Sequence, residues 1–252
     1  MIHDGARTGF GRGADVYAAA RPTYHPEVID RFVRRYGAGA LVELGAGTGI
    51  FTSQLVDADC RPTAIEPVAA MRDKIVAAHP SVTVIDGTAE RTSLDEDSAD
   101  TVVAAQAFHW FDFARALNEI ERILRPGGFL VCVWNVRDEH VDWVRRYTEI
   151  VERFAGDTPR HRSSEWRTAI DGHGRFALVD DWSIANPIEA TPQQVADRAL
   201  STSFIAALDS ERKRTVAEEI QALAATVGNT IEFPYRSELQ AWSLRPVDEP
   251  PT

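Results

Sequence analysis

Along the first half of the chain, short apolar runs alternate with segments whose apolar residues recur every three or four positions, the pattern of strands alternating with helices. Residues 41–44 suit a short buried strand and 50–56 a helix. Further strands are expected at 61–67, 81–85, 100–105 and 129–134, and helices at 67–79 and 112–124, with Pro67 fitting the first turn of its helix. Such alternation predicts an α/β fold: a doubly wound, mostly parallel sheet with helices on both faces.

After Asn135 the pattern changes. Residues 136–174 are rich in Arg, Asp, His and Trp, carry a predicted helix at 141–154, and read as an inserted lid. An alternating strand follows at 176–189, then a helix that Thr191 caps with Pro192 at its first position, a helix at 210–227 and a last strand at 230–244. The proline-rich end, 246–252, is expected to be disordered.

The turn after the first strand carries the most specific chemistry. Gly45, Gly47 and Gly49 fall at relative positions 1, 3 and 5, whereas the dinucleotide fingerprint needs its third glycine one place later, at Ile50. Glu43 would also set a carboxylate beside a pyrophosphate. Both departures disfavour a nicotinamide dinucleotide and suit a ligand carrying an ammonium or sulfonium charge. About 20 residues on, Glu66 ends the second strand where α/β nucleotide sites bind ribose hydroxyls. Asp86, Gly87, Thr88, Ala89 and Glu90 form a polar turn placed to meet an adenine ring. Gln106, Ala107, Phe108, His109, Trp110 and Phe111 open the end of the fourth strand toward the same edge.

Together with the turn Arg125-Pro126-Gly127-Gly128, these segments resemble class I S-adenosylmethionine-dependent methyltransferases, in the small-molecule branch that includes ubiquinone/menaquinone and trans-aconitate methyltransferase-like proteins. The likeness runs from about Tyr17 to Trp134, roughly half the chain. It implies a seven-stranded, Rossmann-like sheet of order 3-2-1-4-5-7-6 whose last two strands form an antiparallel hairpin, and S-adenosyl-L-methionine as cofactor. It also implies one domain: an N-terminal lid (1–25), a cofactor-binding core (26–135), the inserted lid (136–175), late helices and the final strands (176–245), and the tail (246–252).

Carried over by position, the resemblance implies that Gly45, Ala46, Gly47 and Gly49 line the methionyl and ribose part, with Glu43 near the methionine amino group. Glu66 would hold the ribose, with Pro67 following it. Met71 would pack on the adenine face, Thr88, Ala89 and Glu90 would meet its edge, and Gln106 with Ala107 would lie beside the methionine moiety. Tyr17 and Arg21 resemble the family's N-terminal lid, where a guanidinium fork suits the methionine carboxylate.

Composition narrows the function classes. At 252 residues, 44% hydrophobic, the chain can bury a large core. Its formal charge of -11 argues against nucleic acid, and Arg31, Arg34 and Arg35 have the helical spacing of a solvated face. Cys60 and Cys132 lie in different elements with no metal-ligand spacing, so no metal is expected. No apolar run has membrane-spanning length and the N-terminus lacks signal-peptide regions, so a cytoplasmic protein is expected, as monomer or homodimer.

Methyl transfer from a sulfonium needs in-line positioning, and a base only when the acceptor must lose a proton. His109 is the candidate base. Tyr24, Phe108, Trp110, Trp134, Trp166 and Phe204 are candidates for the wall of a small, partly apolar acceptor site. Arg137, His140, Arg160 and His161 would instead recognise an acidic acceptor. Three readings stand: a methyltransferase acting on the oxygen, nitrogen or carbon of a small molecule, a nicotinamide oxidoreductase, and a non-catalytic binder on a methyltransferase fold.

Overall fold

In the computed structural model, which describes residues 21–246, near-continuous apolar runs become the strands of a sheet covered on both faces. The elements are α1 (Pro26–Tyr36), β1 (Leu41–Leu44), α2 (Ile50–Asp57), β2 (Thr63–Ile65), α3 (Ala69–Ala78), β3 (Thr83–Ile85), β4 (Ala99–Ala105), α4 (Phe113–Ile123) and β5 (Leu124–Arg137). There follow α5 (Asp142–Glu152), α6 (Glu165–Gly172), β6 (Phe176–Ala185), β7 (Ile188–Ala190), α7 (Pro192–Leu200), α8 (Ser203–Ala206), α9 (Ser210–Ala225), β8 (Ile231–Phe233) and β9 (Tyr235–Leu244). Short 3₁₀ turns span Phe108–Trp110 and His161–Ser163.

The seven-stranded sheet has the order β3-β2-β1-β4-β5-β9-β6, which is 3-2-1-4-5-7-6 when only its own strands are counted. β1 to β5 are mutually parallel, and β9 lies antiparallel between β5 and β6. Side chains that alternate along the strands feed opposite layers. Val42, Leu44, Val102, Ala104, Leu130 and Cys132 pack with α4 and α6, whereas Leu41, Val103, Val131 and Val133 pack with α1 and α2.

Two expected strands are each broken in two. The run at 176–189 divides into β6 and β7, and the run at 230–244 into β8 and β9. Pro187 and Pro234 stand in the two gaps and lack the N–H a ladder needs, so β7 and β8 part from the main sheet and pair separately. Pro67 lies before the helix, not in its first turn: Val68 is the N-cap of α3. Thr191 does cap α7, in a reciprocal box with Gln194.

Segment 136–174 serves two places. Its helix α5 joins α7, α9, β7 and β8 in a separate apolar cluster, while α6 lays Trp166 and Ile170 into the core against the sheet. On the opposite face, Arg34 and Arg35 are exposed, as the helical spacing predicts, whereas Arg31 is drawn into an ion pair. Arg31 donates to both oxygens of Asp180 at 3.0 and 2.7 Å, Arg35 stands 3.7 Å from it, and the Tyr36 hydroxyl donates at 3.1 Å. Asp180 follows a bulge in the edge strand β6, a device that re-aims side chains. Residues 1–20, with Tyr17, and 247–252 lie outside the described residues. No helix among the described residues is long and apolar enough to cross a membrane.

Candidate active site

The carboxyl ends of parallel strands splay apart where the strand order reverses, and the crevice there is the usual ligand site of an open α/β sheet. Here the reversal lies between β1 and β4. The loop after β1 is held from beneath by β2: Gly45 and Ala46 donate their backbone N–H groups to the Ile65 carbonyl at 2.8 and 3.3 Å. Glu66, one residue further, accepts from the Gly47 N–H at 2.9 Å with one oxygen and from the Val68 N–H at 2.9 Å with the other. Its backbone carbonyl takes a bond from Arg72, which also pairs with Asp86.

The cavity over this loop has a volume of about 150 Å³. That is roughly ten times what one water needs, so it suits a ligand of many atoms. Its wall contains Arg21, Glu43, Gly45, Ala46, Gly47, Glu66, Pro67, Met71, Thr88, Ala89, Glu90, Gln106 and Ala107, every cofactor candidate among the described residues except Gly49. The two neighbouring glycines have different tasks. Gly47 has a left-handed φ of +59° and nothing within 4 Å of where a Cβ would stand, so its bare backbone faces open cleft. Gly49 instead turns toward α3, where a Cβ would come within 2.9 Å of the Ile75 side chain. It permits close packing of two helices and is not part of the wall.

Two carboxylates dominate the floor. Glu43 is 1% exposed, takes a 2.6 Å bond from the Thr52 hydroxyl, and burial pushes its carboxyl up to about 8. Burial also raises Glu66, against the opposing pull of its two backbone N–H donors. Without a cationic partner Glu43 holds its proton at neutral pH, and each Glu66 oxygen keeps acceptor capacity beyond its backbone bond. This donor and acceptor set fits S-adenosylmethionine, which brings ribose hydroxyls and positive charge to an acidic, glycine-lined crevice. At the rim, Gln106 has a left-handed φ of +56°, uncommon for a side chain other than glycine, and its amide donates to the Asn135 carbonyl at 2.7 Å.

A second cavity, of about 170 Å³, shares Arg21, Gln106, Trp110, Asn135 and Arg198 with the first. His109 and Phe204 lie on its wall, and Tyr24 on the first cavity's. Trp110 belongs to both. Phe108, Trp134 and Trp166, candidates for the acceptor wall, are core side chains no more than 3% exposed and line neither cavity. They form an aromatic stack in which Trp134 touches His109, His161 and Trp166. Burial pulls His109 down to about 3, helped by His161 and Arg21, and its Nδ1 is buried without a hydrogen-bond partner. A neutral imidazole so hard to protonate is a weak base, which departs from the role expected for it.

Sequence reasoning missed Asn135 and Arg198. Asn135 sits near the carboxyl end of β5 as Gln106 follows that of β4, so strand-end position was a usable signal. Arg198 reaches the cleft only because α7 folds over it, and no local pattern announces that.

Residues 42–132 match the family model described as a methyltransferase domain. The chain is 38% identical over 217 residues to an uncharacterized methyltransferase of Mycobacterium tuberculosis, covering 86% of each chain. Among solved structures, a type II methyltransferase candidate from Anaeromyxobacter dehalogenans superposes with a TM-score of 0.64 at 23% identity, over 89% of this chain and 97% of that one. Geranyl diphosphate methyltransferase in complex with SAM gives 0.50 at 14% identity, over 90% and 85%. The fold is that of Rossmann-like methyltransferases, and the chain belongs to the methyltransferase family.

Proposed function

We propose that the protein is an S-adenosylmethionine-dependent methyltransferase acting on a small molecule, with the cofactor in the first cavity and the acceptor in the second. The observation that carries this reading is the convergence of the glycine loop, Glu66, the turn at Thr88 to Glu90 and Gln106 on one cavity wall. Glu66 would hold the ribose hydroxyls, Met71 the adenine face, Thr88, Ala89 and Glu90 its edge, Glu43 the amino group and Arg21 the carboxylate. When bound, the cofactor supplies a methyl group on a cationic sulfur that departs as a neutral thioether. The protein's part is to align the acceptor across the Gln106 and Asn135 rim and to exclude water, for which α5, α7 and α8 form the cover. A charge of -11 supports a small-molecule partner over nucleic acid, and the reading keeps the protein cytoplasmic, as monomer or homodimer.

Calorimetric titration with S-adenosylmethionine and S-adenosylhomocysteine tests it. Binding is expected, weakened about tenfold or more by Glu66→Ala, with no binding of NAD(H). Equal affinity of the variant, or no binding by the parent protein, would sink the reading.

A further inference from the structure

The second cavity joins the cofactor cleft at Gln106, Asn135 and Arg198 and ends among groups that the cofactor would leave untouched. Tyr235, 2% exposed, is on its wall, and the phenol hydroxyl is buried with no hydrogen-bond partner. A buried hydroxyl left unmatched is unfavourable, and such groups mark places that a ligand completes.

The charge beside it is positive. Arg137 and Arg198 line the same cavity, and Arg198, only 8% exposed, donates to the Ser201 hydroxyl at 3.1 Å. Arg137 donates to the Thr148 hydroxyl at 3.1 Å and lies 5.2 Å over the Tyr147 ring, so its partners there are a hydroxyl and a ring. The acids on the wall are already engaged, Glu152 by Arg160 and Glu139 by Arg162. Of the cations named for an acidic acceptor from sequence, Arg160 is thus committed, His140 is turned out to solvent beside Asp138, and burial pulls His161 down to about 4, which leaves it uncharged at neutral pH.

We propose that this cavity holds a small organic anion through a carboxylate gripped by Arg137 and the Tyr235 hydroxyl, with Arg198 lining the wall beside them. The carboxylate is a handle, not the methylated group. Oxygens that accept from guanidinium and phenol have their lone pairs engaged and their charge dispersed, so they are poor nucleophiles. The accepting atom therefore lies at the other end of the molecule, at the Gln106 and Asn135 rim. This inference rests on the reading of the first cavity as the cofactor cleft.

The test uses the full chain, with and without saturating S-adenosylhomocysteine, and matched probes: phenylacetate against phenylacetamide, and succinate against succinamide. Calorimetry should show at least one acid binding tenfold or more tightly than its amide. Arg137→Met and Tyr235→Phe should each weaken that acid about tenfold while leaving S-adenosylhomocysteine affinity within about twofold. Tyr235→Phe should also raise the melting temperature of the ligand-free protein, since it deletes an unmatched hydroxyl; a purely structural hydroxyl would not couple a gain in stability to a loss of acid binding. The proposal is overturned if neither acid binds, if amides bind as well as acids, or if both variants bind the acid as the parent does. Failure of S-adenosylhomocysteine to bind would strike the cofactor reading instead, and the acid series without it still decides this one.

Discussion

The side-chain amide of Asn135 donates to the backbone carbonyl of Thr23 at 3.1 Å, and to that of Pro22 at the same distance, so the end of β5 grips the segment carrying Arg21 and Tyr24. Asn186 adds a bond to the Thr23 carbonyl, and Ser237 accepts from the His25 N–H. The main sheet thereby fixes one rim of the cleft. Asn135→Ala should cost about 1–2 kcal/mol of stability, and Asn135→Asp more, because it faces two carbonyls with an acceptor. S-adenosylhomocysteine affinity should fall about tenfold, equivalent to one interaction of ~1.4 kcal/mol. Calorimetry and thermal melts read both effects, and unchanged affinity in a folded variant would mean that the clamp does not place Arg21.

How much of this was legible in the residues depended on distance along the chain. The alternation that builds β1 to β5 is local, because parallel strands buried on both faces read as apolar runs, and the strand order followed from the methyltransferase resemblance. The cavity wall from Glu43 to Gln106 was equally local, each candidate but Met71, in the first turn of α3, lying near a strand end or in the turn beyond. Gly49 stands off the wall because it caps α2 and packs against Ile75, which belongs to the next helix, a contact that the spacing of the glycines does not show. Phe108, Trp134 and Trp166 were misplaced for a related reason: an aromatic residue in a doubly covered layer has no polar face beside it to show which way it points. Pro187 and Pro234 were visible signals of broken strands that the alternation around them masked.

Gly47→Ala and Gly49→Ala should separate along that line. Both add a Cβ at left-handed φ, +59° and +85°, a strain of about 1 kcal/mol each. Only Gly49→Ala also presses on Ile75, so its melting temperature should drop further, by the equivalent of another ~1 kcal/mol or more. Gly47→Ala should keep most of its stability and lose ligand affinity, since its methyl enters the open cleft. The reverse ranking in thermal melts and calorimetry would contradict the division of roles.

Asp180 ties α1 to the edge strand. Burial works to raise its carboxyl, but the Arg31 bond and charge, with the Tyr36 hydroxyl, hold it below the ordinary value. A carboxylate with a depressed folded pKa contributes stability above its unfolded pKa and loses it as pH falls through the folded one. Asp180→Asn should therefore cost about 1–3 kcal/mol at neutral pH and little in strong acid, read by urea denaturation across pH. A cost independent of pH would show that packing, not the ion pair, is what the substitution removes.

His109 should not govern the rate. Removing a general base typically costs about 10²–10⁴-fold in kcat, whereas His109→Gln should cost less than about tenfold once an acceptor is found. Its ring does affect stability. A histidine lowered to about 3 when folded and ordinary when unfolded makes the protein less stable as pH falls below about 6.5, where the unfolded chain takes up the proton. His109→Phe should flatten that acid limb. A drop in kcat of a hundredfold or more in His109→Gln would restore the residue as a base.

Glu43 should make stability and ligand binding respond to pH in opposite directions. Its carboxyl is raised from an ordinary 4.5 to about 8, mainly by burial, so between these values the folded protein holds a proton that the unfolded chain has released. Stability from this group is fully present below the unfolded pKa and is lost as pH rises through the folded one, with a slope of up to about 1.4 kcal/mol per pH unit. Glu43→Gln keeps an acceptor for the Thr52 hydroxyl and cannot ionise, so its melting temperature should exceed that of the parent by a margin that widens between roughly pH 5 and about pH 8. A cationic ligand favours the ionised form, so S-adenosylmethionine binding should release part of a proton and tighten with pH, and Glu43→Gln should abolish both effects. Calorimetry in buffers of different ionisation enthalpy counts that proton directly. Binding without proton release in the parent protein would mean that Glu43 stays neutral beside the ligand and does not meet its ammonium.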